Sequence, residues 1–219
     1  MNHEEMSETT TTSDGELITR ILQGEKDLYA FIVRRYNQRL FKVGISILND
    51  DTEVEDVMQV TYINAYENLG KFGFKASFST WLTRILINEC LLRLKKRGST
   101  ITMNDDNMER EWQYRLAGET QTPATKVLNS ELKTILEEAI RKLPEIYRTV
   151  FVMREIENMN VAETQACLSI SEVNVKVRLN RAKALLRDLL SNYYRKEDIF
   201  NFHLSRCDRM VDKVMSQIK

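Results

Sequence analysis

Proline and glycine are scarce in this chain, 2 and 7 among 219 residues, and none lies beyond Pro144. The last third therefore lacks both residues that usually punctuate turns and reads as almost wholly helical. The three cysteines, Cys90, Cys167 and Cys207, are odd in number, widely spaced and without a C-x-x-C. That usage signals neither a disulfide framework nor a zinc site and points to a reducing cytoplasm. Charge of one sign is missing too: 32 Lys+Arg balance 32 Asp+Glu. The global basic excess of many nucleic-acid binders is thus excluded, and any DNA contact must be local. No apolar run is long enough to span a bilayer, and residues 1–15 are polar with no apolar h-region. The expectation is a soluble, unexported, cytoplasmic protein without membrane insertion.

What is present is helical periodicity in two blocks. Residues 1–12 read as disordered, since nothing in them repays the entropy of ordering. Ser13 and Glu16 have capping-box spacing ahead of Leu17, Ile18, Ile21 and Leu22. A longer helix after Gly24 carries Leu28, Phe31, Ile32, Tyr36, Leu40, Val43 and Ile47. Thr52 and Glu55 repeat the capping spacing and open a helix that runs to Gly70, and a further helix runs from about Ser79 through Trp81 to the basic stretch before Gly98. Residues 98–122 lose periodicity around Asp105, Asp106, Glu109 and Glu111 and read as an acidic interdomain linker, in which Trp112 is the one residue suited to docking.

Thr122-Pro123 and Pro144 each have the composition of a helix start. Asn160 with Glu163 caps a short helix, Ser169-Ile170-Ser171 makes a turn, and a long helix follows to about Ser191. A short helix, a tight turn and a second helix with a basic outer face form a helix-turn-helix pattern. Val175, Leu179, Ala182 and Leu186 are spaced to face inward, leaving Lys176, Arg178, Asn180, Arg181 and Lys183 on the outer and flanking faces. The chain ends in an amphipathic segment with Ile199, Phe202, Leu204, Met210, Val211, Val214 and Ile218.

The wording of two stretches goes beyond pattern. Leu143-Pro144, the run Arg148-Thr149-Val150-Phe151, Ser171, and Val175-Lys176 followed by Arg178-Leu179 and Arg181-Ala182 resemble the fourth conserved region of the extracytoplasmic-function (ECF) sigma factors of the sigma-70 family. Glu55-Asp56-Val57 with Gln59, then Phe72, then Phe78-Ser79-Thr80-Trp81-Leu82 with Ile85 and Asn88 resemble the second region of the same family. Both occur in the family's order over most of residues 14–190.

The resemblance implies an all-α protein of two small helical domains joined by a flexible linker, the C-terminal one a winged-helix-like helix-turn-helix domain of three to four helices. Residues 13–97 would be the region 2 domain, 98–122 the linker, 123–192 the region 4 domain and 193–219 a helical extension. It implies a transcription initiation factor that binds core RNA polymerase and promoter DNA, with an anti-sigma factor as a further candidate partner. Glu55, Asp56 and Gln59 take the family's polymerase-docking positions, although a solvated acidic helix start explains them as well. Phe72, Phe74, Lys75 and Ser77 fall in the family's strand-capturing loop for the −10 element, with Trp81, Arg84 and Asn88 on the helix behind it. Trp81 fits a core position equally well.

At the −35 element the matching positions are Lys176, Val177, Arg178, Asn180 and Arg181. Val173, Asn174, Val177 and Thr164-Gln165 depart from the family's usual residues and leave the DNA sequence open. The alternative reading is a stand-alone helix-turn-helix regulator, which gives no account of the first block. An enzyme is disfavoured: there are two histidines, His3 and His203, and no phosphate-cradling loop, G-x-S-x-G or H-E-x-x-H, so no cofactor, metal or small-molecule substrate is expected. His203 and Cys207, one turn apart, are too few ligands for zinc.

Overall fold

A computed structural model of the chain describes residues 12–98, 130–191 and 204–218. The expected linker beyond Gly98, with Trp112, and the start at Thr122-Pro123 lie outside them, as do Ile199 and Phe202. Among the described residues there are helices and turns and no strand, hence no β-wing beside the helix-turn-helix.

Helix α1 (Asp14–Leu22) begins where Ser13 Oγ accepts the amide of Glu16 at 3.3 Å, and it buries Leu17, Ile18 and Ile21. Helix α2 (Tyr29–Leu48) ends on Asn49, whose φ of 55° turns the chain. The next residue, Asp50, adopts an extended backbone, and its carboxylate accepts the amide of Glu53 at 2.9 Å to start α3 (Asp51–Glu67). The cap is therefore Asp50 and not Thr52. The left-handed turn at Asn49 delivers Asp50 in the non-helical conformation that a cap requires, whereas Thr52 is already inside the helix.

Helix α4 (Phe78–Lys96) is capped by Ser77, which accepts the amide of Thr80 at 3.2 Å, two residues before the expected start. Helices α2, α3 and α4 pack around Leu40, Val43, Val54, Leu82 and Leu86, all fully buried. A β-carbon on Gly44 would stand 2.7 Å from Val54 Cγ1, so the α2–α3 crossing needs a residue without one.

The second block holds α5 (Ser130–Lys142), α6 (Glu145–Phe151) continuing as a π-helical turn (Val152–Ile156), α7 (Val161–Leu168) and α8 (Glu172–Ser191). The Asn160–Glu163 capping box is formed in both directions, at 2.9 and 2.8 Å. Ser169, with a φ of 55°, makes the turn between α7 and α8. Ser171 Oγ then accepts the amide of Asn174 at 3.2 Å. Helix α9 (Leu204–Gln217) leaves Met210, Val211, Val214, Met215 and Ile218 exposed.

The two blocks are not separate bodies. Met153, Met159 and Cys167 from the second join the buried core of the first. Ala139, Ile140, Leu143, Ile146, Tyr147, Val152, Ala182, Leu186 and Leu189 form the second block's own core. Helix α6 packs on α2, and α7 packs on α4.

Candidate nucleic-acid interface

The loop before α4 is built on aromatic rings. Phe72 is 7% exposed and stacks against Phe74, Phe78 and Trp81 at centroid distances of 4.7, 5.4 and 5.3 Å. It is therefore a prop beneath the loop and not a contact residue in this arrangement. Its burial follows from the three rings that surround it. Phe74 is the opposite: 62% exposed, with a φ of 55° that a bulky residue rarely adopts. Holding an aromatic outward in the left-handed region costs on the order of 1–3 kcal/mol, a cost that concentrates at binding sites. Lys75 and Ser77 are exposed beside it, although the Ser77 hydroxyl is occupied as the helix cap.

Behind the loop, Trp81 is half-buried with one face on Phe72 and Phe78. Arg84 and Asn88 are exposed one turn apart on α4, which leaves a basic and a polar donor on one face of that helix. The basic end of α4 is partly occupied: Arg93 pairs with Asp56 at 3.1 Å and Glu53 at 3.7 Å, and Arg97 pairs with Glu53. These partners lie in the first two turns of α3, and this coupling has no signal in the local sequence.

On α3 the exposed stripe is Glu55, Asp56, Gln59, Val60 and Ile63, with Val60 and Ile63 at 45% and 59% exposure. The two apolar residues were missed by motif reading; their signal is position, since Val60 lies four residues after Asp56 and Ile63 four after Gln59. An acidic rim beside an exposed aliphatic centre suits a protein partner with basic groups around an apolar patch.

On α8, Lys176, Val177 and Asn180 are exposed, and Val175, Ala182, Leu186 and Leu189 are buried. Lys176 pairs with Glu172 at 3.8 Å, an exposed pair that binding can displace at little cost. Arg181 is half-buried, donating to Tyr147 Oη at 3.1 Å. Arg178 corrects the sequence reading: it is 3% exposed and faces inward. Three residues separate it from Val175 and four from Ala182, which puts it on the stripe that packs against α6 and α7. Leu179, expected inside, is only partly buried.

Cys90 and Cys167 are buried, and burial pushes each thiol up to about 12. No group of His, Cys, Asp or Glu that could hold a metal occurs among the described residues, and no described helix is long and apolar enough to cross a membrane.

Comparison with known proteins agrees with this geometry. The family model for sigma-70 region 2 matches residues 32–100, and that for sigma-70 region 4 matches residues 133–186. The ECF RNA polymerase sigma factor SigW of Bacillus subtilis is 30% identical over 79% of this chain and 94% of its own length. The ECF RNA polymerase sigma-E factor of Salmonella typhimurium is 30% identical over 81% and 93%. Among solved structures, the sigma factor RpoE of Bartonella quintana, crystallised with the anti-sigma factor NepR, superposes with a TM-score of 0.56 at 20% identity, over 74% of this chain and 96% of that one. With region 2 and region 4 both matched, in order, on the two helical blocks described above, the chain belongs to the extracytoplasmic-function group of sigma-70 family RNA polymerase sigma factors.

Proposed function

We propose a division of labour between three surfaces of this sigma factor. The α3 stripe of Glu55, Asp56 and Gln59, centred on Val60 and Ile63, docks on core RNA polymerase. The loop bearing Phe74 and Lys75, with Ser77, Trp81, Arg84 and Asn88, captures an unpaired base and its strand at the −10 element. The α8 face of Lys176, Val177 and Asn180 reads the −35 element in the major groove, with Arg181 swinging from Tyr147 to a phosphate. The observation that carries this reading is Phe74, an aromatic ring left exposed on a backbone conformation that bulky residues rarely adopt. Stacking on such a ring is worth roughly 1–3 kcal/mol per base, enough to offset much of the few kcal/mol that unstacking costs.

In this reading residues 13–97 and 123–192 are the two functional domains and 98–122 their tether. The protein works in the cytoplasm without catalytic chemistry of its own. An anti-sigma protein is a fitting antagonist, because a similar solved structure is that of a sigma factor in complex with an anti-sigma factor.

The test is polymerase pull-down together with run-off transcription. Phe74→Ala and Lys176→Ala should keep polymerase binding and lower specific transcription roughly 10- to 100-fold, the equivalent of about 1–3 kcal/mol. A double change of Val60 and Ile63 to Asp should abolish polymerase binding while promoter preference is lost only in consequence. Uniform loss of polymerase binding in all the variants would refute the division.

A further inference from the structure

Helix α1 precedes the stretch matched by the region 2 family model, residues 32–100, and takes no part in the three surfaces described above. It is nevertheless firmly held. A helix of 9 residues is marginal in water by itself, so its place comes from tertiary contacts. Leu17, Ile18 and Ile21 enter the core, and the long-range polar contacts gather at the first turn. Asp14 lies there, with one carboxylate oxygen accepting from Arg35 Nη1 at 2.7 Å and the other from the Tyr36 hydroxyl. Arg35 Nη2 also donates to the Thr12 carbonyl at 2.9 Å, just outside the helix. A carboxylate at this point suits the positive end of the helix dipole as well.

What the Asp14 clamp positions is the loop before α4. Two contacts set α1 alongside it. At the first turn, a β-carbon on Gly15 would stand 3.7 Å from Cε1 of the Phe74 ring. At the last residue, Leu22 Cδ2 lies 3.9 Å from the place of a Gly70 β-carbon, in the turn Leu69–Lys71. The helix therefore brackets the chain from Gly70 to Phe74, meeting its two ends with its own. Tyr36 opens a second route to the same ring. It is 8% exposed, its ring lies 5.7 Å from Phe78, and Phe78 reaches Phe74 through Phe72 at 5.4 and 4.7 Å. One carboxylate thus fixes both the backbone beside the Phe74 ring and the aromatic stack beneath it.

Phe74 needs such fixing. Its left-handed backbone is one that a bulky residue rarely adopts, and its exposed ring gains little from burial. A conformation of this kind persists only when the surroundings over-determine it. Phe72 supplies one contact and Gly15 another. Glycine suits the second place because of what would follow a β-carbon. The β-carbon alone would make ordinary van der Waals contact, but a longer side chain would continue over the ring.

We infer that α1 is part of the −10 reader: Asp14 is a positioning residue for the Phe74 ring, and Gly15 keeps the space beside that ring open for the captured base. The ligand is an unpaired nucleobase of single-stranded DNA, recognised through its π-face. The inference rests on the reading of Phe74 as the stacking ring and extends it to a helix that lies beside the loop. A ring held in place before the base arrives keeps the whole gain from stacking, whereas a ring ordered on binding loses part of it to that ordering.

The test is equilibrium binding of holoenzyme, assembled from the full chain and core polymerase, to fork-junction DNA whose non-template −10 strand is unpaired. The promoter is one selected from randomised DNA by the same holoenzyme. An abasic residue is placed at each −10 position in turn, and the readout is the ratio of binding with and without the base. In wild type that ratio should reach roughly tenfold or more at one position. Asp14→Ala should lower it roughly fivefold, and Tyr36→Phe, which removes only the hydroxyl that donates to Asp14, roughly twofold. Gly15→Gln should bring it close to one, while Gly15→Ala should leave it unchanged. All four variants should match wild type in binding core polymerase and the abasic template.

A helix that merely supports the fold would behave otherwise, weakening binding to every template by the same factor and leaving the ratio where it was. A ratio unchanged in both Asp14→Ala and Gly15→Gln, beside a ratio abolished by Phe74→Ala, overturns the inference and leaves the functional reading standing. If Phe74→Ala leaves the ratio intact, the functional reading falls first and the inference with it. Should Asp14→Ala fail to bind core polymerase, the comparison of Gly15→Gln with Gly15→Ala decides, since both keep the clamp: equal ratios overturn the inference.

Discussion

The two blocks reach stability by different routes. Region 2 carries a complete core of its own: α2, α3 and α4 enclose Leu40, Val43, Val54, Leu82 and Leu86, with the Phe72, Phe78 and Trp81 rings closing one end. Region 4 has a thinner core, and three of its buried residues, Met153, Met159 and Cys167, find their apolar neighbours in the other block. It also buries two arginines, Arg148 and Arg178, where region 2 has no buried charge among its described residues. A small helical unit with few apolar residues per turn has limited area to bury, so it fills the deficit with polar bonds and a neighbour. The difference teaches that the block with the thinner core is the one that leans on the other.

The largest expected effect breaks the self-sufficient block. Phe78→Ala removes a 3% exposed ring packed on Tyr36, Phe72 and Trp81 and should cost about 3–5 kcal/mol in denaturant unfolding. Met153→Ala, at the shared core, should cost about 2–5 kcal/mol. Fluorescence and circular dichroism should report one transition for wild type and two for Met153→Ala. A single transition in that variant would mean that region 4 does not depend on its neighbour.

A smaller effect sharpens the assignment of helix starts within region 2. Asp50→Ala should lose about 1 kcal/mol and Thr52→Ala only a few tenths, which thermal unfolding separates. The smallest is a matter of rate. With both thiols raised to about 12, alkylation at pH 8 should leave Cys90 and Cys167 unmodified in the native chain. Rapid modification of either in the folded chain would contradict that burial.

Much of the fold was legible because helices are local. Periodicity located α1 to α4 and α6 to α8, and the Asn160–Glu163 pair named its own cap. Where local rules competed, the reading slipped by two residues: Thr52 has the right spacing, but the left-handed Asn49 hands the cap to Asp50. The candidate site was legible in its α8 surface at Lys176, Val177 and Asn180 and in the exposure of Arg84 and Asn88.

What escaped was everything set by distant partners. A basic residue on a basic helix reads as surface, yet Arg178 falls on the packed stripe. No rule of spacing says that Arg148 will cross about a hundred positions to the carbonyls of Ser46 and Ile47. Nor does composition reveal that Phe72 and Phe74, two residues apart, take opposite roles, since that depends on the sign of one backbone angle.

The π-helical turn at Val152–Ile156 has a consequence for chain length. Such a turn accommodates one residue more than an α-helix would over the same rise. In a regular α-helix the loss of one residue turns everything that follows by about 100°. Here the wide turn can give up its extra residue and close to regular winding, so the helix-turn-helix beyond it would keep its facing on α6. This stretch should therefore tolerate a one-residue deletion that the interior of α2 or α4 would not.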